Sequence, residues 1–552
     1  MKKRFEYAGL FALLLLLGVS RRACQLQYPD VWDEDGIKII PGIIRNGASS
    51  LFDPVNGYMV LVPKLLSFIS LHISFSHYGL ISSILTFLLI AAVALAVAAS
   101  PTILLGKRWC ALALFFIPSD PEIFGLPLYT FWWVSILLFL LVLWEEENSS
   151  SLVRIVFVVL GGLSSPVIVS LLPLFYWRSY IYRARTAEHL VAFLATLIAV
   201  FQMRFIFSAG ASHMPSPRSM LQHVIPKFFG SFLVGNLWHQ AAWVFGMALV
   251  ILIAFWIYDN RIRMSLSTSI VLPYLLAVGI ALSILRIDPA IIHQKLAGPR
   301  YFFYPFVALF WILVQIGYNR NKYRHIAFAF IAIAMVNAIP VWSRSHDDLH
   351  WKDHVLSSYY FPYYTFPVQF NGEAALAWRL PLLKKEYSSY NANDRLHDFD
   401  HDDRPVFPYT LILQGSTGVR HFATGDALAY QSLTGSDYRK SIVSGFQVIG
   451  TYVTSDADKG EIKLDLHRGD CILYRSGPGN KGCRVIIDAN EKRFLQELPA
   501  LSDWSCLEFS NRLLPERFSA RFVDEGSDFG QWFAIALKSD QESKAPGQKE
   551  IW

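Results

Sequence analysis

The sequence predicts an α-helical polytopic membrane protein carrying a C-terminal, mainly β domain outside the membrane. Three observations predict it: long uncharged runs recur through residues 1–344, lysine and arginine gather on alternate loops, and polar composition returns from about Ser345. Of the 552 residues, 53% are hydrophobic and only 17% charged, an apolar balance that soluble domains rarely reach. Mean hydropathy is +0.35. The aromatic share, 15% with 16 Trp, suits interfacial belts and sugar-stacking surfaces alike. A net charge of +6 is what basic cytoplasmic loops contribute, and it implies no nucleic-acid partner.

The membrane half reads as about nine spans: 6–20, 78–99, 103–118, 126–144, 188–208, 241–258, 267–286, 302–318 and 324–343. Runs such as "YGLISSILTFLLIAAVALAVAAS" are long enough to cross ~30 Å of hydrocarbon at ~1.5 Å per residue. The first run follows "MKKRFEY" and precedes "RRAC", with no small-x-small cleavage site, so it reads as an uncleaved anchor. "MKKR" places the N-terminus inside and residues 21–77 outside; "GKR" (106–108) is then inside and "SDPEIFG" (119–125) outside. Both "WEEENSSSLVR" and "YWRSYIYRAR" read as inside, so the run between them, 154–177, must enter and leave on one side. Its Gly-Gly-Leu-Ser-Ser-Pro centre breaks a helix, which predicts a re-entrant pair of half-helices. With that pair, 209–240, 287–301 and the C-terminal region all lie outside.

From 345 to 540 no run is long enough to span. "PYTLILQG", "DCILYRSG", "CRVIIDAN", "RFSARFVDEG" and "QWFAIALKS" are short strand-like segments between turn residues, which predicts a mainly β sandwich. The stretch "RSGPGNKG" between Cys471 and Cys483 reads as a hairpin turn; the two cysteines are either a disulfide or free thiols. Residues 541–552 read as a flexible tail.

On this topology the suggestive polar residues share one side. "PDVWDEDGIKII" places Asp33, Glu34 and Asp35 just beyond the first span, followed by "FDPVNGY" and a mildly amphipathic segment, "MVLVPKLLSFISLHI", suited to the outer interface. The next outer loop holds Asp120 and Glu122, and "DPAIIHQKLAGPRYFFYP" holds His293, Lys295 and Arg300. Carboxylates facing a basic loop suit a reaction in which a neutral hydroxyl loses its proton to a base while a phosphate leaves.

This layout resembles the GT-C superfamily of integral-membrane glycosyltransferases. Within it, "EDG…FDPVNGYMVLVPKLL" and "PSDPEIFGLPLYTFWW" resemble the bacterial glucosyltransferases that modify O-antigen. The resemblance covers residues 1–345 and implies a GT-C-like fold in the bacterial inner membrane, with the C-terminal domain in the periplasm or outside. It implies a polyprenyl-phosphate-linked sugar donor from the membrane lipid and a glycan acceptor. Asp35, Glu34 or Asp33 would be the base, Asp120 or Glu122 the second acidic residue, and Arg300, with Lys295 and His293, the phosphate contact. The usual Asp-Glu order is Glu-Asp at 34–35, so the base stays unassigned. Some members hold a divalent cation, others do not, and no ligand spacing here decides it. A transporter or flippase of lipid-linked sugars is the alternative, and a non-catalytic polysaccharide-binding protein is a third.

Overall fold

A computed structural model describes residues 2–145, 151–208, 216–235, 239–260, 267–319, 322–346, 348–349, 351–358, 363–370, 373–383, 386–387, 390, 446–450, 459–469, 471–477, 482–489, 492–498, 505–509, 514–526 and 531–538. The chain forms two compact units. One is Met1–His72 with His77–Asp348; the other is Ile73–Ser76 with Leu349–Trp552.

The helical unit is built on α1 (Lys2–Arg21), α2 (Leu61–Ile73), α3 (Tyr78–Ala99), α4 (Lys107–Ala113), α5 (Thr130–Val142), α6 (Ser151–Gly162), α7 (Val167–Ile181), α8 (Thr186–Ser208), α9 (His239–Asp259), α10 (Thr268–Ile284), α11 (Phe303–Tyr318) and α12 (Arg324–Ala338). Among the described residues, five stretches are long and apolar enough to cross a bilayer: Tyr78–Ala99, Thr186–Phe207, Gln240–Asp259, Pro299–Tyr318 and Arg324–Val341. They coincide with five of the nine expected runs. Run 6–20 lies in α1, which also carries Lys2, Lys3, Arg4, Glu6 and Arg21. Runs 126–144 and 267–286 become the shorter α5 and α10, of 13 and 17 residues.

Run 103–118 is not the continuous helix its composition suggests. Only Lys107–Ala113 is helical, because Pro118 and Pro121 follow and cannot continue a helix. Its two ends are nevertheless tied to the two ends of α1. Arg108 pairs with Glu6 at 2.8 Å, and the Arg21 guanidinium donates to the carbonyls of Phe115, Ile117 and Ser119 at 3.0, 3.1 and 2.6 Å. Carbonyls that a helix would have satisfied are satisfied by one buried arginine instead. These contacts define a Glu6 end and an Arg21 end of the unit.

The Gly-Gly-Leu-Ser-Ser-Pro break separates α6 from α7, with Pro166 preceding the first turn of α7. The two helices double back. Arg154 of α6 and Arg178 of α7 both pair with Glu188 of α8, each at 2.8 Å, and Arg178 also donates to the Val142 carbonyl at the end of α5. The tip of this hairpin braces the first loop: Leu61 N–H donates to the Leu163 carbonyl and Val62 N–H to Ser164 Oγ. Gln202 clamps Met59 through both its N–H and its carbonyl. Core density comes from α5, buried along its whole length, and from α11 beside it, joined where Tyr304 OH donates to Ser135 Oγ at 2.8 Å. The start of α3 meets the first loop so closely that a Cβ on Gly79 would lie 1.8 Å from the Pro29 carbonyl oxygen. Along α2, Leu65, Ile69 and Ile73 are exposed while Lys64, Ser67 and Ser70 are buried, so its apolar stripe faces outward.

In the second unit, β1 (Tyr363–Phe370) and β2 (Glu373–Leu383) form an antiparallel hairpin. Phe75 is buried there against Trp351, Phe366 and Tyr387, so four residues from the N-terminal half, Ile73–Ser76, belong to the C-terminal unit. The remaining strands are β3 (Phe446–Gly450), β4 (Gly460–His467), β5 (Cys471–Ser476), β6 (Cys483–Ala489), β7 (Lys492–Glu497), β8 (Ser505–Glu508), β9 (Arg517–Asp524) and β10 (Phe533–Lys538). They make two four-stranded antiparallel sheets, ordered β3-β10-β5-β8 and β4-β9-β6-β7, the connectivity of a jelly roll. The sheets share a core in which Phe533 meets both Tyr474 and Phe522. The expected hairpin across "RSGPGNKG" is corrected, since β5 and β6 lie in opposite sheets. Cys483 is a free, buried thiol. "PYTLILQG" and residues 541–552 lie outside the described residues.

Candidate functional site

At the Arg21 end, three loops far apart in sequence meet on the hydroxyl of Tyr129. Tyr129 OH donates to Asp33 Oδ2 at 2.9 Å and lies 3.3 Å from Glu122 Oε1. Arg300 Nη1 bonds to the same Glu122 oxygen and, at 3.2 Å, to Tyr129 OH; its backbone N–H donates to Glu122 Oε2 at 3.2 Å. The first acidic loop, the second acidic loop and the late basic loop are therefore one hydrogen-bonded network.

The three neighbouring carboxylates have three different environments. Asp35 is 2% exposed and both its oxygens accept from Leu128 N–H, at 3.1 and 3.4 Å. Burial drives its pKa well above the usual carboxylate range, the Leu128 bond opposing this. Glu34 faces Asn56, whose amide donates to it at 3.1 Å, with Lys38 at 4.0 Å. Asp33 turns inward. Its Oδ1 is buried with no hydrogen-bond partner, and burial, then the Glu34 charge, raises its pKa to about 7 against the pull of Tyr129. Its backbone sits at φ +43°, a left-handed conformation that a non-glycine residue adopts only when its surroundings impose it. Here they do: Trp32 lies under the Arg22 guanidinium at 4.0 Å and the Arg344 guanidinium at 5.1 Å. On the other side Asp35 is pinned and opens a π-helical turn, Asp35–Ile39.

The second acidic loop divides. Glu122 joins the network, while Asp120 pairs with Arg344 at 3.1 Å and its N–H donates to the Gln294 carbonyl. Burial raises the Asp120 pKa, Arg344 opposing. The late loop divides as well. Arg300 is in the network, its guanidinium 5.4 Å from both the Tyr129 and Tyr301 rings. His293 instead accepts from the N–H groups of Lys295 and Leu296, closing a turn, and burial with the charge of Lys227 holds its pKa below the usual value. Lys295 is exposed, and neither residue is bonded to the Arg300 network.

Sequence reasoning passed over three residues of this cluster. Tyr129 ends the apolar string "IFGLPLY", where nothing marks it as polar machinery. Tyr58 lies half-buried beside the network, within electrostatic reach of Arg300, Glu34 and Tyr301. Arg286 is exposed, holds its guanidinium 5.4 Å from the Tyr58 ring, and has no acidic partner among the described residues. A lone arginine closing the run "LAVGIALSILR" was the available signal. Among the described residues, no three His, Cys, Asp or Glu side chains are grouped to hold a metal ion; Asp33, Glu34 and Asp35 turn to Tyr129, Asn56 and Leu128 and do not form a cation cradle.

No protein-family model and no curated protein matches the chain.

Proposed function

We propose that the chain is an integral-membrane glycosyltransferase that moves a sugar from a polyprenyl-phosphate donor to an acceptor hydroxyl, such as that of a surface polysaccharide, with inversion. The observation that carries this reading is the Asp33–Tyr129–Glu122–Arg300 network, which brings a poised carboxylate and a guanidinium to one place at one end of an apolar helical bundle. The cationic residues Lys2, Lys3, Arg4, Lys107 and Arg108 belong to the other end, which supports assigning the Arg21 end to the extracytoplasmic side of a bacterial inner membrane.

In this reading Asp33 is the base. A carboxylate with a pKa of about 7 is half-ionised at neutral pH and has one oxygen without a partner, the condition under which proton acceptance contributes most. Asp35 holds the loop in place through Leu128 and does not react. The acceptor oxygen bonds to the anomeric carbon, its proton passes to Asp33, and the anomeric C–O bond to phosphate breaks with the electron pair leaving on the phosphate. Arg286 and Arg300 stabilise that charge. Arg300 reaches the phosphate without losing Glu122, since Glu122 is bonded through Nη1 and the backbone N–H alone.

The decisive experiment is transfer from a labelled polyprenyl-phosphate sugar by Asp33→Asn. Asparagine tolerates the left-handed backbone, so this variant inserts normally and loses roughly 10²–10⁴-fold in rate. Asp35→Asn instead lowers the yield of folded protein. Full transfer by Asp33→Asn overturns the assignment of the base. Full transfer by Asp33→Asn, Glu34→Gln and their double variant removes the loop from the chemistry.

A further inference from the structure

At the Glu6 end, away from the Tyr129 network, a cavity of about 150 Å³ opens between the ends of α9 and α11 and the start of α10. Its lining includes Leu105, Trp256, Asn260, Thr268 and Asn319, and among the described residues no lining side chain is ionisable. Several acceptors around it are already used. The Trp256 carbonyl takes both the backbone N–H and the side-chain amide of Asn260, and the Gln315 carbonyl takes Asn319 N–H. The donors are not. Trp256 is 1% exposed and its Nε1–H has no acceptor. Helix α10, 17 residues long, begins here without a side-chain cap, because Ser267 Oγ bonds to Ser269 Oγ at 2.7 Å instead. Ile270 N–H and Val271 N–H both donate to the Ser267 carbonyl, so the first N–H groups, which have no partner within a helix, are those of Thr268 and Ser269; the helix dipole favours negative charge there.

We infer that this cavity binds the phosphate group of a ligand, with the N-terminus of α10 and Trp256 Nε1–H as donors. A buried indole N–H without an acceptor beside the open N–H groups of a helix start calls for an acceptor group, and phosphate at a helix N-terminus is the arrangement that backbone N–H groups hold best. The one carboxylate next to the lining in sequence, Asp259, is paired with Lys322 at 3.6 Å. Lipid headgroups and free phosphate share this chemistry. The inference stands apart from the transferase reading, because it concerns the opposite end of the helical unit.

The test uses the full chain in mixed micelles. Retention of phosphatidic acid against diacylglycerol is measured by native mass spectrometry, and thermal unfolding is followed while inorganic phosphate is titrated. Two variants remove one donor each. Trp256→Phe deletes Nε1–H. Thr268→Pro deletes the first helical N–H at a position where proline is accommodated, and Ser267, at φ −92° and ψ 154°, already has the extended backbone that precedes proline. A hydrogen bond to a charged group contributes enough to expect at least a tenfold loss from either change. Preference for phosphatidic acid that both variants weaken assigns a lipid headgroup; stabilisation by inorganic phosphate that both variants weaken assigns a free ion. No phosphate effect in either arm, or an undiminished effect in Thr268→Pro, overturns the inference.

Discussion

Asp33 is a residue whose charge, backbone and neighbours are all set by contacts distant in sequence. Its raised pKa has two readable consequences. As a base it must be ionised, so the transfer rate rises with pH through about 7 and is flat above it. The stability effect has the opposite sense. A carboxyl whose folded pKa lies above its unfolded value binds more protons in the folded state, so its contribution falls as pH rises from about 4 to about 7. Thermal unfolding across that window should show wild type losing stability with rising pH, and Asp33→Asn losing less. A rate profile unchanged in shape between Asp33→Asn and wild type would show that another group controls it. The carboxylates themselves were legible in "WDEDG", since three in a row outside an apolar run call for a reason. Their division of labour was not: successive side chains of one short loop met Tyr129, Asn56 and Leu128, and no local pattern encodes which partner each meets.

Among the elements, the hairpin of α6 and α7 was the most legible, because two glycines and a proline interrupt an otherwise helical run. What fixes it was less so. Glu188 sits between two buried arginines, its side chain 2% exposed. Removing the anion that both arginines share leaves buried charge uncompensated, which costs about 3–5 kcal/mol. Glu188→Gln is therefore expected to unfold at clearly lower temperature than wild type, and to loosen Met59–Val62, the segment the hairpin tip braces, in hydrogen exchange. An unchanged melting temperature would place the stabilisation elsewhere, in the packing of α7 on α8. Run 103–118 shows the reverse case. Its hydropathy reads as a span, yet Pro118 and Pro121 with Arg21 make most of it irregular. Hydropathy registers the apolar environment of a segment; it cannot register that an arginine from another helix substitutes for the helix's own hydrogen bonds.

For the molecule as a whole, the transferase reading requires the Tyr129 network and the Glu6–Arg108 pair to face opposite sides of the membrane. Asn56→Cys and Lys295→Cys, both at exposed positions, should react with an impermeant maleimide added from outside, and Arg108→Cys only after permeabilisation. Labelling of all three from one side would end the assignment. The C-terminal unit belongs to the same scale. Short strand-like segments between turn residues, such as "RFSARFVDEG" and "CRVIIDAN", predicted strands, and strands formed there, but the crossing of β5 and β6 into opposite sheets was invisible in a Gly-rich turn that serves a hairpin or a crossover equally well.

The amino-acid order alone determined the apolar helices, the break at Pro166, the β character beyond residue 345 and the polar residues available for chemistry, because hydropathy, proline and glycine act over a few positions at a time. Tertiary structure decided that Asp33 rather than Asp35 has an oxygen without a hydrogen-bond partner, that Glu122 and not Asp120 meets Arg300, and that Tyr129 joins them. Those outcomes depend on which side chains converge from loops about a hundred and more residues apart. Burial and hydrogen bonding at the point of convergence, absent from any one segment, then assign each carboxylate its charge and its partner.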